Sequence, residues 1–270
     1  MNKKITADSL SLEFSTQELW FLCGLFGPAV ILGVKNPYLG WLMDEREEAQ
    51  KDALRMLVDR DLVRVVSDDE IAVDDVLAQM IEVCVNPRHS LILHAQGPDA
   101  SENRERRFVH YGGQLLVEHA ILDVQQNRLT AIKNNTALIE YITPLLRLDT
   151  PVKSEGERFK VGEKTLFEAR ELCENKQDQE ALSLLLESGL DEKVASALIN
   201  TLNGPVSNSA AVVVVNRIER DTQHVRGMAI LEGEQDVWIM WPYDRNGSAY
   251  VEFAPANADT LKERLTAILP

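Results

Sequence analysis

The sequence predicts an internally duplicated α+β fold, in which a mostly antiparallel sheet is flanked by helical bundles. One order of elements, helices followed by four strands and a closing helix, occurs in residues 10–148 and again in residues 163–268. Runs of helices followed by runs of strands are typical of α+β folds. The turns Gly112-Gly113 and Asn246-Gly247 lie between predicted strands. Such turns indicate antiparallel hairpins.

The first half opens with a short alternating strand at residues 10–14, which leads directly into a helix. Ser15 followed three residues later by Glu18 is a capping box, so the helix is expected to begin there. Apolar spacing predicts further helices over residues 44–60 and 73–85. Four strands and a closing helix complete this half, at residues 90–96, 107–111, 114–122, 128–133 and 136–148.

The second half repeats this order. Helices are predicted over residues 163–174, 178–187 and 192–202, strands over residues 210–217, 224–232, 237–241 and 248–253, and a last helix over residues 257–268. Ala53, Leu57 and Leu62 stand at one constant separation from Ala181, Leu185 and Leu190. This match indicates an internal duplication. We expect a first half-repeat at residues 1–150 and a second at 151–270, packed together as one domain about a pseudo-two-fold axis.

The charge of the chain disfavours nucleic-acid binding. It has 28 basic and 43 acidic residues and a net charge of −15, which repels a phosphate backbone unless cations gather on one face. Residues 57–83 read as helix, strand, acidic turn and helix, an order typical of a winged-helix protein. Residues 58–82, however, contain two basic residues, Arg60 and Arg64, and eight acidic residues. A winged-helix-like DNA-binding or regulatory protein therefore stays as the alternative function, and no nucleic-acid partner is expected.

The residues that usually carry catalysis form no recognisable motif. Cys23, Cys84 and Cys173 lie far apart in predicted helices, which fits buried thiols in a reducing compartment. His94, His110 and His119 fall on three predicted strands, where they fit either a metal site or solitary solvent-facing side chains. We expect no enzyme activity, no cofactor and no metal. Neither a signal peptide nor a membrane span is predicted, so a cytoplasmic location is expected.

Two apolar stretches fit either the core or a binding surface. The segment Pro37-Tyr38-Leu39-Gly40-Trp41-Leu42-Met43 must fold back on the core or cover a partner, and we expect the core. One face of the strand that holds Trp238 and Met240 is expected to pack beneath helices, and the following Trp241-Pro242-Tyr243 is expected to close a corner rather than to dock a partner.

A series of stretches in the first half resembles the EspG family, cytosolic specificity chaperones of type VII (ESX) secretion. The series runs from a helix end at Leu54 to Leu62 through "DDEIAVDDVLAQMIEVCVNP", "SLILHA" and "RRFVHYGGQLLVEHAIL" to a closing amphipathic helix. It covers most of residues 10–148, and the second half echoes it.

The resemblance implies a quasi-two-fold EspG-like fold that binds a protein client, specifically secreted PE–PPE-like proteins of helical structure. In that family, a loop between early strands and a C-terminal helical bundle contact the client. By position the bundle is drawn from residues 161–203. The loop consists of Gly97, Pro98, Asp99, Ala100, Ser101, Glu102, Asn103, Arg104, Glu105 and Arg106. The sequence leaves the identity of the client and the oligomeric state open.

Overall fold

A computed structural model describes residues 10–27, 31–68, 70–96, 106–113, 115–145, 157–203, 208–218, 222–232 and 237–269 of the protein. The first repeat comprises β1 (Ser11–Ser15), α1 (Thr16–Phe26), α2 (Met43–Asp59), β2 (Val63–Ser67), β3 (Glu70–Val73), α3 (Asp75–Val85), β4 (His89–Gln96), β5 (Arg106–Tyr111), β6 (Leu116–Ile121), β7 (Gln126–Ile132) and α4 (Asn135–Leu145). The second repeat comprises β8 (Phe159–Gly162), α5 (Glu163–Glu174), α6 (Asp178–Glu187), α7 (Glu192–Asn203), β9 (Asn208–Ile218), β10 (Thr222–Glu232), β11 (Val237–Arg245), β12 (Ser248–Pro255) and α8 (Ala258–Ile268).

Each repeat arranges its large-sheet strands in the same order. The order is β1-β7-β6-β5-β4 in the first repeat and β8-β12-β11-β10-β9 in the second. The described pairings within these series are antiparallel. In both repeats the first strand pairs with the last strand and lies at one end of the series. The predicted α+β fold with an antiparallel sheet is thus confirmed.

Each repeat also has its own hydrophobic core. In the first, α1 and α3 pack on the sheet and α2 packs on α1. The buried residues of this core include Leu19, Leu22, Leu57, Leu77, Met80, Ile81, Val117 and Leu129. In the second, buried Val161, Ala169, Ala181, Leu185, Ala195, Leu198, Trp238 and Phe253 form the equivalent cluster. Contacts divide the chain into two compact units. The predicted division at residue 150 lies outside the described residues and stays a prediction.

The predicted capping box is present at the start of α1, and its glutamate contacts an arginine that directly follows α2. The Glu18 amide donates to Ser15 Oγ (3.1 Å), and the Ser15 amide donates to Glu18 Oε2 (2.7 Å). Glu18 is buried, and Arg60 Nη1 lies 2.9 Å from its Oε1. Arg60 Nη2 also donates to the Glu13 carbonyl (2.7 Å). A main-chain acceptor of the terminal strand β1 is therefore occupied, which disfavours pairing with a foreign strand.

The two repeats share a turn at the same place after their second helix. Asp61 (φ 55°) follows α2 and Gly189 (φ 95°) follows α6, both in the left-handed region. The next amide donates back to the helix in each case, from Leu62 to the Leu57 carbonyl (3.0 Å) and from Leu190 to the Leu185 carbonyl (3.3 Å). These leucines are the pairs that the sequence comparison aligned, so the aligned positions have the same backbone geometry.

The shared turn predicts opposite effects for two substitutions. Gly189→Ala should lower the free energy of unfolding by about 1 kcal/mol, since an L side chain is strained at positive φ. Asp61→Gly should leave it unchanged or raise it by up to about 1 kcal/mol, because relief of that strain offsets the added freedom of the unfolded chain. Urea unfolding of both variants measures the effects. A marked loss of stability in Asp61→Gly would contradict the equivalence of the turns.

The structure corrects three local predictions. Val73 ends the strand β3 rather than beginning a helix, so β2 and β3 form a small two-stranded sheet before α3. The strand β8 was missed, because four residues give little alternation to detect. In the hairpin turn, Gly113 has the positive φ that such a turn requires, 100°. Gly112 is needed for a different reason, because there is no room for a side chain at this position. A Cβ at Gly112 would lie 2.2 Å from Val83 Cγ2.

Candidate functional site

The cysteines are buried and free, as predicted. Burial raises the pKa of the Cys23 thiol to about 12 and also raises the pKa of Cys84. Since the thiolate is the nucleophilic form, these two side chains are poorly suited to covalent catalysis at neutral pH. They serve as small apolar side chains in the first core.

Two of the three histidines that were considered as metal ligands are buried side by side. His110 and His119 are fully buried, with ring centroids 6.2 Å apart, and both stack on Phe108. Burial lowers the pKa of both rings, that of His110 to about 3. The solvent-facing alternative was therefore wrong for these two residues. The side chain of His94 lies outside the described residues, and the described residues contain no cluster of three or more metal-ligating side chains.

The predicted client-contact loop falls almost wholly outside the described residues. Residues 97–105 are not described, and Arg106 begins β5 without a described side chain. The assignment of Gly97 to Arg106 as a contact loop therefore stays a prediction.

The bundle predicted to contact the client contains an open groove between α5 and α6, of about 630 Å³. A short turn at residues 175–177 joins the two helices, and Lys176 adopts a φ of 59° there. Ala169, Cys173, Ala181 and Leu185 face the core. The opposite faces line the groove through Glu168, Glu171, Leu172, Asn175, Gln179, Glu180, Ser183, Leu184 and Glu187. We call this feature the α5–α6 groove.

The α5–α6 groove combines apolar and acidic groups. Leu172 and Leu184 are half-buried within it. Around them, Glu171, Glu180 and Glu187 are exposed carboxylates that form no ion pair with another described residue. Glu168 alone among the lining acids has a cation near it, Lys164 Nζ at 3.5 Å. The groove is thus suited to a partner that offers an apolar side chain together with Lys or Arg.

No individual groove residue was singled out from the sequence, although a signal was present. Glu168, Glu171 and Asn175 are spaced by three and four residues, so they share one face of a helix. Glu180, Ser183 and Glu187 repeat this spacing on the next helix. The spacing does not show that the polar faces of α5 and α6 meet around Leu172 and Leu184, which are half-buried.

The segment at residues 37–43 contradicts its predicted place in the core. Tyr38 is buried, but Leu39, Trp41, Leu42 and Met43 are exposed. By contrast, Trp238 and Trp241 are buried, which confirms the core interpretation for these two side chains, whereas Pro242 is exposed. Gly33 packs so closely on Phe108 that a Cβ there would lie 2.3 Å from Phe108 Cε2. The chain before residue 37 is thereby held against the sheet, while the apolar residues after Tyr38 project outward.

Similarity to a known protein family identifies the family of this chain. The model of the EspG family matches residues 15–267, almost the whole chain. The chain belongs to the EspG family. The resemblance noted in the first half is confirmed, and EspG membership extends through the second repeat as well.

A solved EspG structure has the same fold. The type VII secretion system chaperone EspG5 of Mycobacterium tuberculosis, in complex with a PE25–PPE41 dimer, is similar with a TM-score of 0.70. The identity is 14%, and the similarity covers 96% of both chains. No curated protein matches this sequence. Among the described residues, no helix has the length and apolar character needed to cross a bilayer.

Proposed function

We propose that this chain is a non-enzymatic, cytoplasmic secretion chaperone that binds a PE–PPE-type protein client. The observation that carries the proposal is its EspG family membership, together with a fold like that of a chaperone whose structure includes its PE–PPE dimer. The burial of the cysteine thiols supports its non-enzymatic part, since a buried thiol is a poor nucleophile.

The α5–α6 groove is the client surface that the geometry favours. Its half-buried leucines suit the apolar end of a helical client, and its carboxylates suit cations beside that end. The loop from Gly97 to Arg106 would supply a second contact. In this proposal the acidic rim selects clients by charge, while the leucines provide contact area.

The winged-helix alternative has less support. Arg60, one of the two cations in that stretch, contacts buried Glu18 and lies with its guanidinium carbon 5.3 Å from the centre of the Phe14 ring. An arginine held in this way is not available to read a DNA groove.

Charge reversal in the groove tests the proposed client surface. Co-expression with PE–PPE pairs as candidate clients should yield a complex that survives gel filtration. Glu171→Lys/Glu180→Lys should weaken that complex at least about tenfold, because two attractive charges become repulsive. Calorimetric titration of the purified pair measures the change.

A matched variant makes the result specific. Glu70→Lys/Glu140→Lys changes the net charge equally at exposed positions of the first repeat and should leave the affinity unchanged. Equal losses in both variants would assign the effect to overall charge and overturn the groove as the contact. If the wild-type chain retains no PE–PPE pair, the proposed function itself is wrong.

A further inference from the structure

The first repeat presents an apolar surface that its own core does not use. The exposed fractions are 84% for Leu39, 44% for Trp41, 65% for Leu42 and 78% for Met43. Adjacent large apolar side chains exposed to this degree are typical of interaction sites rather than of an ordinary protein surface. We call residues 39–43 the apolar segment.

Local contacts hold the apolar segment in this exposed position. The Trp41 amide donates to the Tyr38 carbonyl (3.1 Å), and the Leu42 amide donates to Glu45 Oε2 (2.9 Å). The rings of Tyr38 and Trp41 meet edge to face with centroids 5.7 Å apart. Arg46 lies over the Tyr38 ring, with its guanidinium carbon 5.8 Å from the ring centroid. A partner would meet a preorganised surface, which reduces the entropy lost on binding.

The duplication shows that the fold does not require this segment. In the second repeat, residues 175–177 are sufficient to connect α5 to α6. In the first repeat, the equivalent connection from α1 to α2 spans residues 27–42 and contains most of the apolar segment. The connection adds Ile31 and Val34 to the core and buries Tyr38, but the apolar segment is exposed, so the contribution of that segment has to be sought in binding.

The charges beside the apolar segment indicate the charge of the partner that would bind there. Asp44, Glu47 and Glu48 are exposed in the first turns of α2, immediately after Met43. Arg46 is the cation among them, and it is engaged with Tyr38. Carboxylates beside apolar side chains attract Lys and Arg and repel an anionic membrane or nucleic acid. They also oppose an interface between two copies, in which like charges would face each other.

A cleft beside the apolar segment offers room for a side chain of the partner. It has a volume of about 480 Å³ and a mixed lining, in which Trp41, Pro37, Ile121 and Val124 are apolar and most of the other residues are polar, including Lys35. The cleft therefore suits an apolar or neutral polar side chain, and the cations of the partner are expected at the carboxylates of α2. Val124 is 92% exposed. Trp41 thus belongs both to the apolar segment and to the cleft wall, so the two form one surface within the first repeat.

We infer that residues 39–48 and the adjoining cleft form a docking surface for a cationic amphipathic segment of a second protein partner. The partner places leucine-like side chains on Leu39, Leu42 and Met43 and lysine or arginine opposite Asp44, Glu47 and Glu48. This surface lies on the first repeat, apart from the residues of the α5–α6 groove. The inference does not rest on the proposed function.

A synthetic amphipathic helix of leucine and lysine serves as the probe for the full-length chain. At physiological ionic strength, it should bind and slow amide hydrogen exchange in residues 39–48. Leu42→Asp/Met43→Asp should weaken binding at least about tenfold, or about 1.4 kcal/mol. Because both side chains are exposed, the thermal midpoint of this variant should match that of the wild type.

Four controls decide whether the surface is specific. A leucine–glutamate helix of the same pattern should not bind. Because the leucine–lysine helix also suits the α5–α6 groove, hydrogen exchange is repeated with Glu171→Lys/Glu180→Lys, in which the protection of residues 39–48 should persist. Exchange protection confined to the α5–α6 groove would overturn the inference, as would equal affinity for the Asp variant. Self-association in sedimentation that Leu42→Asp/Met43→Asp abolishes would assign the surface to a second copy. Binding to anionic phosphatidylglycerol vesicles that the same variant abolishes would assign it to a membrane.

Discussion

Replacing Arg107 by alanine is expected to lower the free energy of unfolding by about 3–5 kcal/mol, the usual cost of removing one partner from a buried ion pair. Arg107 Nη1 lies 2.9 Å from Glu118 Oε1, and the side chains are 13% and 0% exposed. The substitution leaves the Glu118 carboxylate in the sheet without this guanidinium. Loss of the client in this variant would follow from unfolding rather than from a direct contact. Urea unfolding followed by circular dichroism measures the change.

A double substitution separates the buried charge from the loss of packing. Arg107→Met/Glu118→Leu removes both charged groups and keeps most of the volume, so it should be markedly more stable than Arg107→Ala. Should the double variant be as unstable as Arg107→Ala, packing of the arginine stem would be the main contribution. The ion pair would then have little part in the stability of the first repeat.

Acid is expected to destabilise the first repeat through its paired histidines. Burial and, to a smaller extent, charge repulsion from nearby His119 together lower the pKa of His110 to about 3. Between about pH 6.5 and pH 3 the unfolded chain therefore binds a proton that the folded chain does not. The stability that the neutral ring provides is complete above pH 6.5 and is lost as the pH falls. For one such histidine, the loss is about 2 kcal/mol between pH 7 and pH 5.

Comparison with a variant isolates this contribution. His110→Phe removes the titrating ring and keeps an aromatic side chain against Phe108, although it loses the hydrogen bond to Ser90. The free energy of unfolding of this variant should be lower than that of the wild type at pH 7. Between pH 7 and pH 5, however, it should fall by about 2 kcal/mol less than in the wild type. Urea midpoints at the two pH values provide the measurement. Parallel declines in both proteins would show that other groups control the acid response.

Local signals in the sequence predicted most of the helices. α5 and α6 have the predicted bounds, and α1 begins at its capping box. Such features depend on residues within a few positions of each other, through apolar spacing and hydrogen bonds to free helix amides. The aligned leucines after α2 and α6 were predictable for the same reason.

Burial over longer distances was harder to predict. A strand position alone does not show which face a histidine occupies, so the enclosure of His110 and His119 was missed. For residues 37–43, composition favoured the core. Their exposure follows from contacts that composition does not reveal, since Gly33 packs on Phe108 and Glu45 caps the Leu42 amide. The α5–α6 groove likewise depends on how two helices meet.

The pairing of β1 with β7 has a consequence for synthesis of the chain. Ser11 and Thr130 meet across a sequence separation of 119 residues, and β8 pairs in the same way with β12. At about 5–20 residues per second, a ribosome takes roughly 6–24 seconds to cover the first interval. Throughout this time β1 has no native strand partner, because β7 has not been made. Each repeat must therefore finish translation before its sheet can close, which makes both repeats slow, late-closing folding units.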